Sequence, residues 1–216
     1  MQVLTTAPAP LPHRYLACFV DMPREVLCIV TELAAGGTLK RAIACQSQLG
    51  RPFRSLSIVK WVEQLSSALS AIHAQLIIHR DIKPANIFLT KDANLKLGDF
   101  GLSRRTPHGG AVTGAMDLAT TACGTPYYMS PERFQTGVGY SAPSDLWSVG
   151  CVLYELLTLK KCFAASSFAE LCAKIEQGDY RPACECSPRR PVPQQRLSKV
   201  TTALHASAHH GAPTRR

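Results

Sequence analysis

Two short apolar runs near the start of the chain, "RYLACFVD" and "EVLCIVTEL", have the β-branched and aromatic content of strands and flank a turn at "MPRE". "AAGG" interrupts the pattern, and "TLKRAIACQSQLG" then reads as a short helix ending at Gly50. In "SLSIVKWVEQLSSALSAIHAQ", Ile58, Val62, Leu65, Leu69 and Ile72 recur at helical spacing, which predicts a long helix with one apolar face and Ser57 as its cap. "NIFLT" and "LKLGD" flank "KDAN", as the arms of a small hairpin would. Residues 102–125, rich in Gly, Thr and Ala, predict a long loop. A helix over 146–159 with Asp145 as its cap follows, then another over 167–178 that ends at Gly178. After Tyr180 the periodicity fades to one weak stripe of Leu197, Val200 and Leu204, and no internal repeat is present.

Composition narrows the classes. A hydrophobic share of 46% suits a folded domain with a sizeable core. No segment reaches the roughly 18 apolar residues of a membrane span. The nearest, "LWSVGCVLYELLTL", contains Glu155 and reads as a buried core helix. The opening residues lack a basic start followed by an apolar stretch, so no secretion signal is expected. The nine scattered cysteines then fit reduced thiols better than a disulfide framework, in a cytoplasmic, nuclear or cytoskeletal protein. The net charge is +9, but residues 181–216 hold seven Arg or Lys against one Glu, so the first 180 residues contribute only +3. With no aromatic residue among them, residues 181–216 are expected to form a solvated, disordered tail rather than a nucleic-acid surface. Cys184 and Cys186, with His205, His209 and His210, do not read as a zinc site, because structural zinc favours two to four residues between paired cysteines.

The chemistry concentrates in "HRDIKPAN" at 79–86. Phosphoryl transfer needs a carboxylate to receive a hydroxyl proton, hard oxygens for magnesium and a cation near the moving phosphoryl group. Asp81, Asn86 with Asp99, and Lys83 are the matching residue types, and Gly101 allows the turn that aims Asp99. "HRD" alone would be weak. The ordered set of "HRDIKPAN", "DFG" at 99–101, "GTPYYMSPE" at 124–132 and "SDLWSVG" at 144–150 is highly specific.

From about His13 to Tyr180 the sequence resembles a eukaryotic protein kinase, in particular the NIMA-related (Nek) serine/threonine kinases. The resemblance rests on "HRDIKPANIFL", "LKLGDFGLSR", "GTPYYMSPE" and "YSAPSDLWSVGCVLYELLTLKKCF". It implies an α+β, protein-kinase-like fold, mainly the helical C-lobe with two strands and the hinge of the β-rich N-lobe. The expected organisation is a disordered leader over 1–12, a partial kinase domain over 13–180 and the tail over 181–216. The hinge would lie near 31–37 and the activation segment at 99–132.

The resemblance also implies ATP and Mg2+ as cofactors and a protein substrate. Asp81 would accept the hydroxyl proton, Lys83 would contact phosphate, and Asn86 and Asp99 would hold the metal. Thr31 falls at the gatekeeper position, the backbone of Glu32 and Ala34 would bind adenine, and Phe88 would floor the ring. Thr125 would shape the substrate groove, Arg80 would pair with a phosphate on Thr121, and Asp145 would brace the catalytic loop from below.

Against the family pattern, these residues contain no Lys before Lys40 and no Gly before Gly36, so truncation at both ends is expected. Glu132 would want an arginine from helices beyond Tyr180, where "SPRRPVP" is the nearest offer. Three readings stay open: an active Nek-like kinase, a kinase-like scaffold without catalysis, and an incomplete gene product. Substrate identity and oligomeric state are not legible.

Overall fold

The computed structural model describes residues 14–106, 126–134 and 139–183. Strands β1 (Tyr15–Asp21) and β2 (Val26–Thr31) form an antiparallel ribbon, with Asp21 opposite Val26 and Tyr15 opposite Thr31. The turn between them bends at Glu25, whose φ of 51° is left-handed, and the Arg24 N–H donates to the Asp21 carbonyl. Both predicted strands are present.

The chain then drops onto the helical body through Gly36, whose N–H donates to the Leu89 carbonyl at 2.9 Å. A Cβ there would sit 2.7 Å from the carbonyl oxygens of Leu89 and Thr90, so only glycine fits the approach. Strand β3 (Gly37–Thr38) leads into α1 (Leu39–Gln48), where the Thr38 hydroxyl accepts from the Arg41 N–H. Helix α2 spans Ser55–His73. Ser57 is not its cap, because the Ser57 N–H already bonds back to the carbonyl of Arg54, which takes the cap position. Ile58, Leu65, Leu69 and Ile72 are buried as their spacing predicts, and Trp61 and Ala68 join them.

Strand β4 (Ile77–Ile78) is followed by the hairpin of β5 (Ile87–Leu89) and β6 (Leu95–Leu97). β3, β5 and β6 make one antiparallel sheet. A further strand, β7 (Arg104–Arg105), pairs with β4, so the stretch predicted as loop from 102 begins with ordered structure. Residues 107–125 lie outside the described part. A 3-10 turn covers Pro131–Phe134.

Helix α3 runs over Ala142–Thr158, starting earlier than predicted. Ser141 and Ser144 cap it reciprocally, and Asp145 lies inside the first turn with its carboxylate engaged elsewhere. Helix α4 (Phe168–Gln177) is capped by Ser167 and ends at Gly178, in agreement with its pattern. One core joins α1, α2, β5, β6 and the α2-facing side of α3. A second gathers Trp147, Cys151, Tyr154, Cys162, Phe163, Leu171 and Ile175, with Trp147 and Phe163 stacked at 5.8 Å.

Cys18, Cys28, Cys45, Cys151, Cys162 and Cys172 are unpaired. Among the described residues no helix is long and apolar enough to cross a membrane, and no group of three His, Cys, Asp or Glu could hold a metal ion. The leader and residues 184–216 lie outside the described residues, while the first three residues expected in the tail are described, with the Arg181 carbonyl accepting from the Tyr154 hydroxyl at 2.9 Å and Ala183 packed against the second core.

Candidate active site

The site is built where α2 ends. Leu76 at φ 59° and Arg80 at φ 71° turn the chain sharply on either side of β4, conformations that non-glycine residues hold only when the surroundings enforce them. Asp145 supplies much of that enforcement. Its carboxylate, fully buried, accepts from the backbone N–H groups of His79 and Arg80 at 3.0 Å each. It also accepts from the Tyr140 hydroxyl at 3.0 Å and meets His73 Nε2 at 2.7 Å. Helix α3 thus anchors the loop from below by holding two successive amides, the bracing geometry expected for Asp145.

His79 is itself fully buried, with Nε2 3.0 Å from the Gly98 carbonyl and its ring edge-on to Phe100 at 4.8 Å. Burial lowers its pKa despite the opposing pull of Asp145, so the ring is neutral near pH 7. A neutral ring that donates from Nε2 leaves Nδ1 as acceptor, and the Asp81 N–H points to it at 3.4 Å.

Asp81, Lys83 and Asn86 come together. Asp81 Oδ2 lies 2.8 Å from Lys83 Nζ and accepts from Asn86 Nδ2 at 2.8 Å. Asn86 Nδ2 also donates to the Asp81 carbonyl at 2.9 Å. With its nitrogen committed twice, the Asn86 amide keeps its oxygen for another partner. The Asn86 carbonyl accepts from the Gly98 N–H at 2.9 Å, which ties this loop to the residue before Asp99.

Asp99 adopts φ 59°, and its Oδ1 accepts from the Gly101 N–H at 3.2 Å. A Cβ on residue 101 would approach that same oxygen to 3.2 Å, so glycine keeps the turn relaxed. Asn86 and Asp99 therefore offer one amide oxygen and one exposed carboxylate. That donor set fits magnesium, which takes hard oxygens and fills its remaining positions with water and phosphate.

Thr31 ends β2 opposite Tyr15. Glu32 donates its N–H to the Arg14 carbonyl, and its carboxylate accepts from the Arg14 N–H at 2.7 Å and Lys96 Nζ at 2.5 Å. The Ala34 carbonyl accepts from Gly37. Phe88, half-buried, occupies the middle strand of the three-stranded sheet below. Thr121 and Thr125 lie outside the described residues.

Several participants were not visible from spacing. Arg133 Nη1 donates to the Arg80 carbonyl at 3.2 Å, and both guanidinium groups lie over the Tyr140 ring, at 5.1 and 5.9 Å. Among the described residues the Glu132 carboxylate meets the Ser144 hydroxyl, where an arginine was expected. Tyr128, Glu155 and Lys161 form a further cluster: Glu155 accepts from the Tyr128 hydroxyl at 2.5 Å and from Lys161 at 2.8 and 3.0 Å. Burial, then Glu155, pushes the Tyr128 hydroxyl far above its ordinary pKa, so it stays a donor. The sequence signal for these groups is weak, because key partners stand far apart: 53 positions between Arg80 and Arg133, and 27 between Tyr128 and Glu155.

Comparison with known proteins gives a family. The protein kinase domain model matches residues 10–215. Human serine/threonine-protein kinase Nek11 is 39% identical over 178 residues, covering 82% of this chain and 26% of that protein. Mouse Nek9 is 45% identical over 172 residues, 79% of this chain and 17% of its own length. The probable serine/threonine-protein kinase nek2 of Dictyostelium discoideum is 40% identical over 199 residues, 88% of this chain and 43% of its own length. The chain spans less than half the length of each of these relatives.

Proposed function

This chain belongs to the protein kinase domain family, and we propose that its site moves the γ-phosphoryl group of ATP to a serine or threonine hydroxyl of a protein. The observation that carries this reading is the Asp81–Lys83–Asn86 cluster, closed at 2.8 Å on one carboxylate oxygen and tied through Gly98 to Asp99. Asp81 receives the hydroxyl proton as the oxygen bonds to phosphorus and the bond to the leaving diphosphate breaks. Among the described residues both neighbours of Asp81 sit on Oδ2, which leaves Oδ1 for the substrate hydroxyl. Lys83 holds positive charge beside that oxygen, where the moving phosphoryl group passes.

Asn86 Oδ1 and the Asp99 carboxylate hold magnesium, which neutralises charge on the phosphates when bound. Phe88 floors the adenine ring, with Thr31 and the backbone of Glu32 and Ala34 along its edge. Thr125 lines the groove for the hydroxyl-bearing residue. Arg80 receives a phosphate on Thr121, with Arg133 and Tyr140 holding its backbone and guanidinium in place. The unpaired cysteines support action in the cytoplasm or nucleus.

Titration with Mg-ATP during thermal unfolding tests the reading. A ligand that binds only the folded state at about 100 times its Kd adds roughly 2.7 kcal/mol of stability, a shift of several degrees. The shift should vanish in Asp99→Ala and persist in Asp81→Asn, which should lose phosphoryl transfer alone. No shift at saturating Mg-ATP would leave a scaffold as the better reading.

A further inference from the structure

Lys96, three positions before Asp99 in "LKLGDFGLSR", has no role in the site as built above, yet its position is particular. In the three-stranded sheet Thr38 stands opposite Phe88, and Phe88 opposite Lys96. Directly opposed residues point to the same side of a sheet, so these three form one row across it. The other side carries Ile87, Leu89, Leu95 and Leu97, all buried in the core. From the end of that row Lys96 Nζ reaches Glu32 Oε1 at 2.5 Å, across 64 positions of chain.

Glu32 stands where the β1–β2 ribbon gives way to the connection into the body. Its Oε1 also accepts from the Arg14 N–H at 2.7 Å, at the same end of the ribbon, next to the Tyr15–Thr31 pair. One carboxylate oxygen therefore gathers the base of the ribbon and the edge of the sheet. Both charged side chains are about three-quarters covered, at 24% and 25% exposure, so water screens the pair only in part.

We propose that Lys96 is a positioning residue for the nucleotide. By holding Glu32, it sets the height of the Glu32–Ala34 backbone above the Phe88 ring, and so the width of the slot that takes adenine. The inference rests on the adenine assignment made above. It assigns Lys96 no contact with ATP. The effect should appear in nucleotide affinity and not in the chemical step, because Asp81, Asn86 and Asp99 are held by separate bonds to Lys83, Gly98 and Gly101.

The test is calorimetric titration of the full chain with Mg-ATP, alongside steady-state kinetics. Lys96→Met should raise Kd and KM for ATP roughly fivefold, the scale of a partly covered ion pair, with kcat at saturating ATP unchanged. Lys96→Arg should keep most of the affinity, and Glu32→Gln, whose amide oxygen still accepts from the Arg14 N–H but offers Lys96 no charge, should weaken it as Lys96→Met does. Without nucleotide, amide exchange across Tyr15–Thr31 should quicken in Lys96→Met while the unfolding midpoint of the body stays in place. If the unsubstituted chain takes no Mg-ATP, the kinase reading falls and the positioning role with it. If it binds and Lys96→Met binds equally well, only the positioning role falls. Loss of affinity in Lys96→Met that Glu32→Gln does not reproduce would also overturn it, by pointing to direct contact between Lys96 and the nucleotide.

Discussion

The ribbon Tyr15–Thr31 and the helix Ala142–Thr158 are similarly rich in apolar residues, yet their fates diverge. In the helix, Cys151, Val152 and Leu156 are 2% exposed or less, gripped by α2 on one side and the Phe163 cluster on the other. In the ribbon, Phe19, Leu27 and Ile29 are each more than half exposed. A strand pair whose apolar residues alternate to both faces needs a layer on each face to bury them. A helix buries its stripes against whatever neighbours each side, and α3 has neighbours all round. Apolar pattern therefore announces the element; its surroundings decide what the element contributes to stability.

The largest effect should come from the buried hub of the helical body. Asp145→Ala would strand the N–H groups of His79 and Arg80 and the groups on His73 and Tyr140. Removing one side of such a buried charged network typically costs about 3–5 kcal/mol. Urea unfolding should show that loss; a loss under about 1 kcal/mol would mean the loop holds its shape without α3.

Truncating one residue in each region makes the comparison directly. Leu69→Ala, at a site 1% exposed, should cost about 2–5 kcal/mol by transfer and cavity terms. Leu27→Ala, at 63% exposure, should stay within about 0.5 kcal/mol. Equal costs would show that the ribbon is packed in solution.

Titration separates the regions more finely. The His79 pKa lies below its ordinary 6.5 because the ring is buried. Below that value the unfolded chain binds the extra proton more readily, so stability falls as pH drops through 6.5 and recovers above it. His79→Asn should flatten that part of the profile in unfolding experiments. The smallest effect belongs to Glu170, held down to about 2 by Lys174 and Ser166 at the start of α4. Its folded pKa is depressed, so its contribution is present above the ordinary 4.5 and is lost as pH falls toward 2. Amide exchange in Phe168–Gln177 should quicken across that window, and Glu170→Gln should remove the dependence.

Much of the fold was legible because its signals are local. The spacing of Ile58, Leu65, Leu69 and Ile72 and the glycines at 50 and 178 each act within one or two turns of chain. The errors share a cause. Ser57 and Asp145 are good cap residues by type, but Arg54 and Ser141 reached the cap positions first, and Asp145 was drawn to amides 65 and 66 positions away. The candidate site was legible by residue type, since Asp81, Lys83 and Asn86 lie within six residues and a short loop brings them together.

By itself the sequence determined the helices, the hairpin and the residue types that phosphoryl transfer requires, because these follow from side-chain periodicity and short-range chemistry. The tertiary structure alone decided that Asp145 would hold the His79–Arg80 turn, that Arg133 and Tyr140 would flank Arg80, and that Lys96 would clasp Glu32. Each of those links joins positions far apart in the chain. A hydrogen bond between distant residues exists only after packing has brought both ends within about 3 Å, and no local pattern encodes that distance.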